Sequence, residues 1–457
     1  MKKFILFLIL TQCNFLFSQT VLATFPLELK KSKEYKQIVN AENTATHDVF
    51  VFASDKETLT ILKYNSALFL TNQYSLARPD ITYKVLAGYS FNDEGNPTLY
   101  WSTPDFTKIL AVQYDLNTKA TVAVFNYDLP FFNQTIITQF QENNTFYILS
   151  QKHFEQKLIL YVFKNGKKEE KTLDFGSFNF KNSKNKAITF SQILEVCPIE
   201  KIETNQFNPL FKGTQKTKLY VLKNKLLLTF DHNDNETQAF EIDLATFEIL
   251  EKNISKTTTQ NYVSLSNSYY HESKIYQLKV NEEELLFEIK DYKSGEIIKS
   301  IPVSKTETIP FKSSPLWLQL AGDRPKELKS TAKFLDQLVY LEVGLTVYKT
   351  PKSILITLGG TGDIQFTDVG QDNTNLAFRN VPTTIYFEST FDKKLDHTKQ
   401  EQEPLAVDFI SRFREEHPEV TTPSIIRYKN YYIMGYYDTY AKQYTMRKFI
   451  DGFESSF

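Results

Sequence analysis

Asp231, Asn233 and Asn235 stand at alternate positions in the stretch DHNDNE. That is the opening spacing of an EF-hand-type calcium loop, where carboxylate and amide oxygens converge on a hard cation. Such a loop also needs a Gly at its sixth position, to permit the bend, and a bidentate carboxylate at its twelfth. Glu236 and Ile242 occupy those two places. The flanking runs, LLLTF and FEIDL, have the character of strands rather than helices. The stretch therefore reads as a hairpin turn, in which Asp and Asn bond to their own main chain. Calcium at Asp231, Asn233 and Asn235 remains the one metal expectation, and no other cofactor is expected. DVGQDNTN at 368–375 offers Asp368 and Asp372 as a second, weaker set of oxygens for a cation or a sugar.

Other chemistries lack their residues. LGGTGD at 358–363 has the glycines of a phosphate loop, but Ile364 and Gln365 stand where Lys and Ser or Thr are required. The following DIQFTDV alternates like a strand, whereas a dinucleotide site needs a helix there. The glycines are read as a turn between strands. His47, His153, His232, His271, His397 and His417 form no metal spacing. GYSFN at 88–92 lacks the second Gly of a nucleophile elbow. Cys197, in ILEVCPI, reads as a small buried apolar residue. Trp101 and Trp317 sit in apolar runs, where Trp more often fills a core than stacks on a sugar.

The elements that would position these residues are strands. Phe (38) and Tyr (26) are abundant among the 457 residues, and the net charge is -1. Balanced charge gives no reason to expect nucleic acid as a partner. Runs such as DVFVFA and TLTILKY, KILAVQYDL and ATVAVFNYDL, or YYIMGYYD and QYTMRKFID alternate with Asn-, Asp- and Gly-rich turns. One amphipathic helix is expected near 404–417, with Leu405, Phe409 and Phe413 on one face and Pro418 beyond its end.

LLLTF…FEIDLATFEIL at 226–250 repeats as IYQLKV…FEIKDYKSGEII at 275–298, with Phe240 falling on Phe287 and Glu248 on Glu296. Four strands per roughly 40–50 residues is the period of a propeller blade. In its architecture the chain thus resembles a β-propeller, although no blade carries a family signature. The expected fold is all-β: a single propeller-like domain over 20–457, with about seven four-stranded blades, six to eight being compatible with the spacing. One wide interval leaves room for a diverged blade around ITFSQILEV at 188–196.

The first residues read as a signal peptide over 1–19: Lys2 and Lys3, an apolar Phe4 to Leu10, and Ser18 before Gln19. No later run is long enough for a transmembrane helix. Lipidation at Cys13 is the alternative, but bulky Gln12 and the apolar NFLF argue against it. The expectation is a protein exported to the periplasm, cell surface or exterior of a Gram-negative-type bacterium. There it would bind a protein or a glycan without catalysis. The alternatives are a hydrolase or lyase acting on extracellular polymers at a central channel, and a surface-anchored structural module.

Overall fold

The computed structural model describes residues 19–30, 35–258, 264–369, 376–399 and 402–452. Antiparallel meanders follow one another along the chain. Four-stranded sheets run through 37–77, 85–128, 134–174 and 265–304. Five-stranded sheets occupy 199–255 and 316–391, the former with a leading parallel strand, Ile199–Ile202, laid against Thr217–Leu222. A fourth-and-first pairing completes the set: Gln19–Pro26, which the sequence reading missed, pairs with Gln443–Phe449 in a sheet with Val420–Tyr428 and Tyr431–Asp438. The fold is all-β and β-propeller-like, with seven sheets of four or more strands among the described residues.

Burial explains why these strands were readable. The middle strands of each sheet are covered on both faces, so they read as unbroken apolar runs. Val49–Ser54 is buried at every position, whereas the outer strand Leu70–Ala77 alternates between exposed and half-buried from Thr71 on.

By contacts the chain divides into two compact units. The first runs to Gln151, takes up Ile159–Lys171, and resumes at Glu403. Here the two-residue period of a strand lets each sheet serve two cores. Val49, Val51 and Ala53 pack with Ile433, Tyr444 and Met446, while the intervening Phe50 and Phe52 pack with Leu99 and Trp101. Tyr100, Ile109 and Ala111 then turn the other way, to Phe146, Ile148 and Phe163. Each fully buried Phe or Leu contributes about 1.5–3 kcal/mol. The expected helix is Ala406–Glu416; Ala406, Ile410 and Phe413 cover Tyr432, Met434 and Phe449. Asp408 accepts from the Leu405 N–H (3.0 Å), which starts the helix just after Pro404.

The second unit holds Lys152–Leu158 and Thr172–Gln402. Its repeat is real: Phe240 and Phe287 are both fully buried, each on the second strand of a matching hairpin. The turns after them match, with Phe247 N–H donating to Asp243 O (2.9 Å) and Gly295 N–H to Asp291 O (2.8 Å). Phe247 adopts the positive φ that the second copy gives to Gly295.

Two expectations are corrected. ITFSQILEV is no blade: Ala187–Ile188 pairs only with Phe180–Lys181, and Phe190–Val196 is a helix. Thr189 Oγ1 accepts from Gln192 N–H (3.3 Å) and Gln192 Oε1 from Thr189 N–H (2.9 Å), a capping box that starts a helix. Further short helices are Leu210–Gly213 and Thr331–Leu338. Nor is LGGTGD a turn. It lies inside the long strand Ile354–Val369, and a Cβ at Gly359 would fall 1.9 Å from Ile385 O. The glycine serves close approach of backbone, not reversal.

Candidate functional site

DHNDNE connects the antiparallel strands Lys225–Phe230 and Glu236–Asp243. Its first residue leaves the strand and turns inward: Asp231 N–H donates to Lys216 O (2.7 Å), and its carboxylate is fully buried. Oδ1 accepts from Thr237 Oγ1 (2.8 Å) and Lys256 Nζ (2.9 Å). Oδ2 accepts from Ser268 N–H (3.0 Å) and Ser268 Oγ (2.8 Å), with Lys218 Nζ at 3.7 Å. A buried carboxylate must be compensated in this way, or it costs several kcal/mol.

The two lysines reach it from different strands. Lys218 lies on Thr217–Leu222, opposite Thr229, with its side chain wholly buried. Its ammonium also donates to Asn267 Oδ1 (2.6 Å) and to Gln215 O. Lys256 follows Ile249–Ser255 and donates further to Asn233 O (2.8 Å) and Ser266 Oγ (3.1 Å). Asn267 extends the network, its Nδ2 donating to Thr214 O and Val343 O, both at 2.8 Å. One polar cluster thus ties the sheets 199–255, 265–304 and 316–391 within this unit.

Burial would raise the Asp231 carboxyl, but the ammonium groups of Lys256 and Lys218 hold it well below its usual range. Burial pulls Lys218 down to about 7 despite Asp231, because two ammoniums share one carboxylate. It lowers Lys256 too, against the same attraction. His232 is pushed down to about 4 by burial, so its ring is neutral near pH 7.

Asp231 and His232 form part of the wall of a cleft of about 760 Å³. The helix Phe190–Val196 supplies Ile193, Glu195 and Val196, and Cys197 follows at its end. Lys186, Lys216, Asp234 and Glu342 contribute charge, and Ile188 and Leu265 add apolar surface. Cys197 is half-buried; burial raises its thiol, which Lys216 partly offsets.

The three expected calcium ligands are engaged in different ways. Asp231 faces two ammoniums. Asn233 Oδ1 accepts from Asn235 N–H (2.9 Å), and Asn233 Nδ2 donates to Lys181 O (3.2 Å). Asn235 is exposed. Among the described residues no group of three or more His, Cys, Asp and Glu side chains is placed to hold a metal. Asp372 and Cys13 lie outside the described residues, as does the side chain of Asp368. Trp101 is fully buried, with the Arg78 guanidinium 4.7 Å above its ring, and Trp317 pairs with Tyr386 on a short strand. His47 and His417 bond to Glu42 (2.7 Å) and Glu419 (2.9 Å), and His397 to Ser313 (3.2 Å). Burial takes His271 down to about 4.

No family model and no curated protein matches this chain. Solved structures do. The Dos1 propeller is 8% identical, with 92% of this chain and 80% of that one covered at a TM-score of 0.32. The β-propeller domain of Nup133 from Vanderwaltozyma polyspora is 11% identical over 95% and 97%, at 0.34. A lectin of Aleuria aurantia bound to alpha-methyl-L-fucoside is 10% identical over 78% and 97%, at 0.22.

Sequence reasoning singled out Asp231 but missed Lys218, Lys256, Asn267 and Ser268. A signal was present: SLSNSYY places Ser and Asn where a strand covered on both faces would carry apolar residues.

Proposed function

We propose that the protein is a binding protein without catalytic chemistry, and that the cleft beside Asp231 receives a segment of polypeptide. One observation carries this reading: the carboxylate of Asp231, the ring of His232 and the thiol of Cys197, which line the cleft, are already committed or inert. Both Asp231 oxygens are saturated by Lys256, Thr237 and Ser268. His232 is neutral but has a low affinity for protons, and burial weakens the Cys197 thiol as a nucleophile.

The wall chemistry favours polypeptide over glycan. Ile188, Ile193, Val196 and Leu265 offer aliphatic surface, and among the described residues that line the cleft there is no Trp, Tyr or Phe on which a sugar ring would stack. Export, for which the residue order at 1–19 is the support, would place the site outside the cytoplasm. Sequencing the N-terminus of the mature protein checks it: a free residue near Gln19 is expected, and an intact Met1 would refute export.

The binding test sets the full chain against a capped-peptide library and a glycan array. Peptides should bind, and Val196→Asp should abolish binding while Val122→Asp, an exposed change in the first unit, leaves it intact. Glycan binding that is lost in Val196→Asp would refute the polypeptide reading.

A further inference from the structure

Charge around the cleft is layered. At the bottom, Lys218 and Lys256 are spent on Asp231 and are themselves buried, so neither can meet a ligand. Toward solvent the balance reverses. Glu195 and Glu342 are exposed, and neither has an ion-pair partner among the described residues. Asp234 is held by the Ser183 hydroxyl (2.7 Å) and the Ser266 hydroxyl (3.2 Å), but among the described residues no ammonium lies within ion-pair distance of it. Against these three carboxylates stand two lining lysines, and Lys216 already donates to Ser266 O (2.6 Å). Next to Glu195 on the same helix end, Val196 is 80% exposed, an aliphatic side chain open to a partner's apolar surface.

We infer that the segment bound by the cleft presents a lysine or arginine beside an aliphatic residue, its cation set between Glu195 and Glu342 and its aliphatic side chain against Val196 and Leu265. This rests on the polypeptide reading and narrows it to one class of sequence. Exposed carboxylates act mainly on encounter and register, and their attraction is screened by salt. The aliphatic contact supplies the desolvated part, which salt does not weaken.

The test uses the full chain and three sets of acetyl- and amide-capped octapeptides, aliphatic on both sides of a central Lys, Gln or Glu, read by fluorescence anisotropy. The Lys set should bind at least tenfold tighter than the Gln set, and the Glu set weakest. Glu195→Gln with Glu342→Gln should erase the preference, as should 0.5 M salt. Both changes are at exposed positions and leave the core intact, which the melting temperature verifies. Equal binding of all three sets, sensitive to Val196→Asp, would overturn the charge inference and leave the polypeptide reading standing. Failure of every set to bind would overturn both.

Discussion

Lys218 is the buried charge whose removal has the most informative consequence. In the folded protein its ammonium is pushed down to about 7, against 10.5 for an unperturbed lysine, because burial outweighs the help of Asp231. Between those values the unfolded chain binds a proton that the folded chain does not, so stability rises with pH across the window. The cost of charging Lys218 is fully present below about pH 7 and gone above 10.5. Its limiting slope is about 1.4 kcal/mol per pH unit, and the whole shift amounts to roughly 4–5 kcal/mol as a ceiling. Lys218→Met should remove that contribution while leaving the Asp231–Lys256 contact at 2.9 Å in place. The variant should therefore equal or exceed the natural protein in stability at pH 6.5, and its advantage should have shrunk by about half at pH 9. Urea midpoints of both proteins at pH 6.5, 7.5, 8.5 and 9.5 measure this as a difference, in which the tyrosines common to both cancel. A Lys218→Met protein that is several kcal/mol less stable at pH 6.5, or one with the natural pH slope, would refute the reasoning.

Asp231→Asn leaves two buried ammoniums without their carboxylate and should cost about 3–5 kcal/mol, read as a lower melting temperature, with Lys218→Met in the same chain restoring part of the loss. Gly359→Ala places a Cβ 1.9 Å from Ile385 O and should destabilise by about 1–3 kcal/mol or more in urea unfolding. Thr189→Ala removes one half of the capping box and should cost about 1 kcal/mol, with faster amide exchange at Gln192 and Ile193. In proton NMR the His232 ring should titrate near pH 4 rather than 6.5. Because that folded value is depressed, the stability linked to it is lost as pH falls from about 6.5 to 4.

The architecture could be read from the chain because its physics is local. A strand such as Val49–Ser54, covered on both faces, must be apolar throughout, and Asp-headed turns such as those at Asp243 and Asp291 mark its ends. Where the reading failed, two local signals competed. ITF looked like the start of a strand, although Thr189 and Gln192 carried the capping pattern of a helix. In LGGTGD, glycine was taken for its freedom to turn, when its use is the absence of a Cβ where the paired strand lies close. The cleft was half legible. The polar run drew attention to Asp231, but Ser268, which holds its Oδ2, lies 37 residues on, and no spacing rule joins residues on neighbouring sheets.

That distance is also the reason the cluster survives in a core otherwise built from Phe, Leu and Tyr. Apolar faces stacked sheet on sheet can slide, since burial is indifferent to which side chain meets which. Asp231 cannot: with its carboxylate displaced by one residue, Ser268 N–H, Thr237 Oγ1 and two ammoniums would be left unsatisfied together. Asn267 adds the same constraint toward Val343 and Thr214. A charge that costs stability in isolation here fixes the registry of three sheets, and so the position of Glu195, Val196 and Glu342 around the cleft. Lys218→Met should then bind peptide with unchanged affinity, since Asp231 retains Lys256, whereas Asp231→Asn should lose peptide binding at temperatures where it is still folded.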